Sequence, residues 1–236
     1  MIINLGDSPF KACIKVTYPR GTCSCSSDKL SLSHSGGGTA TFTVRKKAQY
    51  TIKIATGSLS KTESVSIERN GQTVSVSLDY KLYLVKDGAV TSAGAGMSTA
   101  NKWFNGDTTY GTGNLYQSGS TLVVDSVVAK GATGVSGITS STINLNDYVA
   151  LSADVSSCSY SGPEPGWFYL NVTDSKWWGG RVAVGSWGLN KISNNSKLST
   201  NISSVTGSHY IQIAACHSGN TTAQGGWVGL TNVYLE

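Results

Sequence analysis

A chain of 236 residues with 28 glycines, four prolines and only 13% charged residues is long enough for one large all-β domain or two ordinary ones. Its formal charge of +5 is small for that length, and the 18 Lys and Arg are scattered apart from Arg45-Lys46-Lys47. That triplet reads as a solvated turn, so no nucleic-acid partner is expected, and no apolar run approaches the ~20 residues that cross a bilayer, so no membrane partner is expected either.

The opening Met1-Ile-Ile-Asn-Leu-Gly6 has neither a basic start nor an apolar core, so no signal peptide is expected there. Work outside a cell would then follow lysis, carriage in a particle, or a signal trimmed from this sequence. Five cysteines are an odd number; Cys23 and Cys25 are too close to bridge comfortably, and Cys13, Cys158 and Cys216 are dispersed. They read mostly as free thiols, with Cys158 to Cys216 the one pairing worth testing. Neither Cys-x-x-Cys spacing nor a neighbouring His supports a metal site.

From residue 10 to 80 short strands alternate with turns. Ile14, Val16 and Tyr18 share one face before Pro19-Arg-Gly21, and Leu30 and Leu32 share the next before Ser35-Gly-Gly-Gly38. Phe42 and Val44, then Tyr50, Ile52 and Ile54, then Val65 and Ile67, then Val74, Val76 and Leu78 continue the pattern. Strands recurring every ~8–12 residues leave no room for crossover helices, which predicts a small antiparallel sandwich. Ile14-Lys-Val-Thr-Tyr-Pro-Arg-Gly21 and Tyr50-Thr-Ile-Lys-Ile54 resemble the small immunoglobulin-like or carboxypeptidase-regulatory-like modules. The resemblance implies a spacer over residues 1–80, of the kind found in bacterial surface proteins and phage virion proteins, that presents a site rather than holding one.

Tyr80-Lys-Leu-Tyr-Leu-Val85 lies at the expected boundary near residue 80, with a second domain over 81–236. Asp87 to Gly119 is rich in Gly, Ser and Thr and reads as a long surface loop anchored by Trp103-Phe104 and Tyr110. Leu122 to Ala129 then reads as a strand, followed by Ser141 to Val155, where Asn144-Leu-Asn-Asp147 turns and Val149, Leu151, Ala153 and Val155 share a face. Trp167 to Val172 sets Phe168, Leu170 and Val172 against Trp167, Tyr169 and Asn171, and Arg181 to Trp187 alternates around Val182 and Val184. After the turn at Val205-Thr-Gly-Ser208, Ile211, Ile213 and Ala215 oppose Tyr210 and Gln212 in the apparent partner of the Ser141–Val155 stretch, and Val228 to Glu236 closes the chain.

These make about eight strands, the number a jelly roll needs, so the fold class is all-β with two antiparallel sandwiches. Ile143-Asn-Leu-Asn-Asp-Tyr148, Leu151-Ser-Ala-Asp-Val155, Ile202-Ser-Ser-Val-Thr-Gly-Ser-His-Tyr-Ile-Gln-Ile213 and Val228-Gly-Leu-Thr-Asn-Val-Tyr-Leu-Glu236 resemble the galactose-binding-domain-like jelly roll. The resemblance speaks to fold more than to ligand, and implies that the one cofactor to consider is a structural Ca²⁺.

Catalytic patterns are missing. Asp125, Asp147, Asp154, Asp174 and Glu164 do not form an evident facing pair, Asp147 sitting in a turn and Glu164 in Gly162-Pro-Glu-Pro-Gly166. No nucleophile elbow, zinc helix or phosphate loop occurs, so no enzyme is expected. Aromatics say more: five of the six Trp lie in the second half beside turn residues. A sugar ring offers an apolar C–H face and a rim of hydroxyls, and asks for an exposed aromatic flanked by Asn, Asp, Arg or His. Asp174, Trp177, Trp178 and Arg181, with Trp167 and, in another loop, His217, Asn220 and Trp227, supply those groups; the alternative is that these rings cap the ends of the core. Trp177 and Trp178 are adjacent, so on a strand both cannot enter one core.

A spacer followed by a carbohydrate-binding-like jelly roll, with no signal and no catalytic centre, is similar to tail or head-associated virion proteins of phages of Gram-positive bacteria. The leading expectation is therefore a phage structural protein for host adhesion or particle decoration, located in the virion. Its partners would be a cell-surface saccharide, other virion proteins and further copies of itself. The alternatives are a carbohydrate-binding module of a secreted bacterial enzyme or adhesin, and a purely structural assembly protein.

Overall fold

The computed structural model describes residues 10–28, 30–94, 102–106, 111–128, 132–162, 166–176, 180–219 and 224–236, with the backbone alone at 102–106, 111–114, 126–128, 132–138, 217–219 and 224. Its internal packing divides the chain into two compact units, Met1–Tyr80 and Lys81–Glu236.

The first unit holds β1 (Ala12–Tyr18), β2 (Thr22–Ser27), β3 (Leu30–Ser35), β4 (Gly38–Val44), β5 (Ala48–Thr56), β6 (Leu59–Ile67) and β7 (Thr73–Ser77). They form a three-stranded sheet in the order β4-β1-β7 and a four-stranded sheet in the order β3-β2-β5-β6. Alternation does the work: Ile14, Val16, Phe42 and Val44 from one sheet meet Cys23, Cys25, Ile52, Ile54 and Ile67 from the other in one buried cluster. Buried tyrosines keep partners for their hydroxyls, Tyr50 donating to the Lys46 carbonyl and Tyr80 to the Arg20 carbonyl. Leu30 and Leu32 are only partly buried. One pair departs from the antiparallel expectation: β7 runs parallel to β1. The Gly71 amide bonds the Lys11 carbonyl and the Cys13 amide bonds the Gln72 carbonyl, which feeds β7 in beside β1 in the same direction.

The second unit holds β8 (Leu82–Lys86), β9 (Ala89–Val90), β10 (Lys102–Gly106), β11 (Gly111–Ser118), β12 (Thr121–Val128), β13 (Ala132–Thr139), β14 (Ile143–Asn144), β15 (Ala150–Ser161), β16 (Trp167–Thr173), β17 (Arg181–Gly188), β18 (Ser196–Asn201), β19 (Ser208–Gly219) and β20 (Gln224–Leu235). One sheet runs β10-β13-β19-β16-β17 and the other β11-β12-β20-β15-β18. Stripped of the outer pair β10 and β11, the sheets read β13-β19-β16-β17 and β12-β20-β15-β18. This is a jelly roll: one long antiparallel hairpin with its tip between β16 and β17, rolled so that successive strands change sheet. The sheets face each other with β12 over β13 and β19, and β17 near β18. Between them lie Leu122, Val124, Leu151, Val155, Phe168, Leu170, Val172, Ile211, Ile213, Val228 and Leu230, all buried.

Several expectations change. The glycine-rich stretch read as a loop contributes β9, β10 and β11; Gly111-Thr-Gly113 has few side chains to alternate, yet its backbone pairs with β12. The Ser208 strand does not pair with Leu151–Val155: β15 pairs with β20, while β19 takes only Ile143 and Asn144 from that stretch. Val149 lies outside the core at 41% exposure, and Val182 and Val184 are exposed as well. On β17 the inward places go to Gly185 and the half-buried Trp187, whose ring lies 6.3 Å from that of Phe168. Gln212 is buried although it faces outward, because its Nε2 donates to the Ser175 carbonyl of the β16–β17 connection.

Candidate functional site

On β11, β12, β20 and β15 the residues that alternate with the buried Leu115, Leu122, Val124, Val228 and Leu230 stand on the sheet's outer face. Register places Tyr116 opposite Val123, Val123 opposite Gly229, and Gly229 opposite Ser157. Trp227, one outward step along β20 from Gly229, pairs with Asp125 on one side and Ser159 on the other. Tyr116, Ser118, Thr121, Val123, Ser157 and Trp227 enclose a groove of about 290 Å³.

Two local features shape it. The register shift between Val155 and Ser157 bulges β15 at Ser156 and brings it toward the groove's end. There its Oγ donates to the Gly229 carbonyl at 3.1 Å and lies 3.4 Å from Thr121 Oγ1. Gly229 leaves the space for that closure, since a Cβ there would stand 2.7 Å from Thr121 Cγ2 and 3.1 Å from the Ser156 and Ser157 hydroxyls. The result is a slot with two aromatic rings across an apolar floor and hydroxyls along its rim. A pyranose asks for this combination, a ring face to cover its C–H bonds and short donors and acceptors for its hydroxyls.

Of the residues expected to bind whose side chains are described, only Trp227 lines the groove. Trp167, Asp174 and Arg181 belong to the opposite sheet, on β16, just past its end and on β17 respectively. Trp167 is 41% exposed, and the Arg181 guanidinium lies 5.7 Å from the Tyr169 ring centre. Asp174 is partly committed: its Oδ1 sits 2.7 Å from His209 Nδ1, and His209 Nε2 is 2.8 Å from the Thr206 carbonyl oxygen. His209 thus joins Asp174 to the Thr206 carbonyl. His217 lies on β19, where only the backbone is described, and Trp177, Trp178, Asn220 and Glu164 fall outside the described residues. Tyr116 was missed, because it stands in the glycine-rich stretch read as a loop; its alternation with Leu115 and Gln117 is too short to show.

Farther along the same outer face, Tyr234 is held under a polar cover. Its ring lies 5.4 Å from that of Tyr83 and 4.4 Å from Lys81 Nζ, and its hydroxyl donates to Asp154 Oδ1. Asn232 Nδ2 takes the other Asp154 oxygen. Burial, reinforced by the Asp154 charge and opposed by Lys81, pushes the Tyr234 phenol up to about 12. Glu236 accepts from Lys197 Nζ and from Ser152 Oγ; burial alone would raise its carboxyl, but those bonds and the lysine charges prevail and hold it below its ordinary 4.5. Both acids are occupied by structure.

In the first unit a polar hollow of about 790 Å³ opens beside Ser26, Asp28, Lys46 and Gln49, with no aromatic in its lining to stack a sugar. Among the described residues no three His, Cys, Asp or Glu side chains gather to hold a metal. All five cysteines are free, and Cys158 and Cys216 lie on β15 and β19 in opposite sheets, the Cys158 thiol reaching the Ile192 carbonyl instead.

No family model matches this sequence, and no curated protein matches it. Solved structures do. One comes from work on the promiscuous specificity of carbohydrate-binding modules of the β-sandwich superfamily, at 11% identity and TM-score 0.44, covering 92% of this chain and 85% of that one. Another is the family 11 carbohydrate-binding module from Clostridium thermocellum in complex with a β-1,3-1,4-mixed-linked tetrasaccharide, at 9% identity and TM-score 0.36, covering 58% and 89%. A third is a glycoside hydrolase family 43 arabinoxylan arabinofuranohydrolase from Bacillus subtilis in complex with cellotetraose, at 12% identity and TM-score 0.31, covering 79% and 38%. All three lie at or below 12% identity and a TM-score of 0.44.

Proposed function

We propose that the second unit is a carbohydrate-binding module that holds a saccharide without turning it over, of the kind carried by secreted bacterial enzymes and adhesins. The carrying observation is the groove in which Tyr116 and Trp227 stand across Val123, with Ser118, Thr121 and Ser157 on its rim. A ring stacked on Trp227 would present its hydroxyls to the β15 serines. This reading takes precedence over the virion one, which rests on the order of the two modules and the expected lack of a signal; the groove would serve a glycan in either setting. Genomic neighbourhood separates them, tail or portal genes favouring a particle and a glycosidase gene favouring a secreted enzyme.

The test is retention of the full chain on an array of plant and bacterial cell-wall glycans that includes the mixed-linked tetrasaccharide and cellotetraose. Retention on at least one glycan, lost in Trp227→Ala with the fold intact, supports the groove. Retention on none overturns the reading, and release of new reducing ends during incubation overturns its non-catalytic part.

A further inference from the structure

We infer that the module has a second saccharide site on the outer face of the other sheet, so that one copy of the chain bridges two glycan chains. This rests on the carbohydrate-binding reading of the groove. Along β16 the residues that alternate with buried Phe168, Leu170 and Val172 are Trp167, Tyr169, Asn171 and Thr173, so their side chains leave the sheet on its outer side. Trp167, at 41% exposure, is the exposed aromatic of this strip. Next along the strand, Arg181 lies over Tyr169 with its guanidinium 5.7 Å from the ring centre, and the Tyr169 hydroxyl is hydrogen-bonded to Ser186 across the β16–β17 pair. An exposed indole in line with a stacked guanidinium and a serine offers a saccharide the same chemistry as the groove, an apolar platform followed by donors.

Asn171, the next outward residue on β16, is fully buried, and neither its Oδ1 nor its Nδ2 has a hydrogen-bond partner. An unpaired buried amide is costly, and natural folds keep one rarely. The chain covers Asn171 completely, so the strip open to a ligand runs from Trp167 to Tyr169 and Arg181 and stops short of it.

Geometry makes the two sites divalent rather than one extended site. Trp167 pairs with Cys216 close to the end of β19, and Trp227 stands close to the start of β20, the strand that follows. These strands belong to opposite sheets, so the two indoles occupy the same end of the sandwich on faces that look away from each other, with the core between them. A single saccharide cannot lie on both.

The experiment uses the full chain, a surface coated with the array glycan that retains it best, and the same glycan in soluble, fluorescent form. Wild type is expected to bind the coated surface and then capture the soluble glycan. Trp167→Ala and Trp227→Ala should each still bind the surface with about half the saccharide per chain, and each should lose capture. Tyr116→Ala, at another exposed ring, repeats the groove arm if Trp227→Ala fails to fold, and Val184→Lys, exposed opposite Asn171, repeats the other arm. Surface binding by wild type with no capture, or Trp167→Ala and Val184→Lys indistinguishable from wild type, overturns the second site and leaves the groove standing. Absence of any surface binding overturns the carbohydrate reading on which both depend.

Discussion

The Thr200 hydroxyl donates to the Leu170 carbonyl at 3.2 Å, a buried bond that joins β18 of one sheet to β16 of the other. Gly185 lies against this bond: a Cβ there would fall on Thr200 Oγ1 and on the Trp187 ring. Gly185→Ala is therefore expected to destabilise the fold by about 1–3 kcal/mol through overpacking. Thr200→Val, which keeps the shape and removes the donor, should cost about 1–3 kcal/mol. Urea unfolding of both variants checks this, and wild-type midpoints would refute it.

Asn171→Leu is expected to act in the opposite sense. Replacing a buried amide that has no partner with an apolar side chain of similar size should raise the stability of the free protein by about 1–3 kcal/mol. A loss of stability would mean that the amide is satisfied in solution.

For Trp227→Ala and Tyr116→Ala, the stacking role predicts a loss of glycan affinity on the order of 2 kcal/mol. Melting should change little for Tyr116→Ala, since Tyr116 is 42% exposed. Equal losses of melting temperature and affinity in both variants would mark these rings as packing groups.

Acid should remove one stabilising element. Because Glu236 is held below its ordinary 4.5, it binds protons more weakly folded than unfolded, and its contribution is present above about pH 4.5 and lost as pH falls through its folded value. Lys197→Met should narrow the stability difference between pH 6 and pH 3, measured by urea unfolding at each pH. An unchanged difference would show that the Lys197–Glu236 pair has no net effect, the common result for exposed pairs.

Cys23 and Cys25 face the first unit's core, and burial pushes the Cys25 thiol up to about 11, with Cys23 adding to it. Both should resist a thiol reagent at pH 8 in the folded chain and react in denaturant. Rapid labelling of either without denaturant would place it outside the core.

The sequence showed most where one face of a strand is apolar and the other is not. Ile14, Val16, Phe42, Val44, Ile52 and Ile54 are as buried as their alternation predicts. It misled on β17, where Val182 and Val184 carry the apolar signal and yet point to solvent, while Gly185 and Trp187 are needed against Thr200 and Phe168. Pairing partners were harder still, since alternation gives a strand its faces but not its neighbours; Leu151–Val155 could as well have joined the Ser208 strand as β20. The groove was half legible. Trp227 stands out beside Gly225-Gly226, but Tyr116 acquires meaning only once β11 is laid next to β12 and the β15 bulge brings Ser156 and Ser157 to the rim.

β20 follows every strand it pairs with. It lies between β12 and β15 and also takes β8 along the β12 side, so both halves of that sheet have open edges until the last strand arrives. During synthesis the first unit can close its core once Tyr80 has left the ribosome, whereas the second has to wait for its final residues. In that interval the backbone edges of β12 and β15 are free to pair with another chain. Interrupted translation, or any cut that removes β20, would thus produce an aggregating species rather than a smaller folded one, and would remove Trp227 along with the strand that closes the sheet.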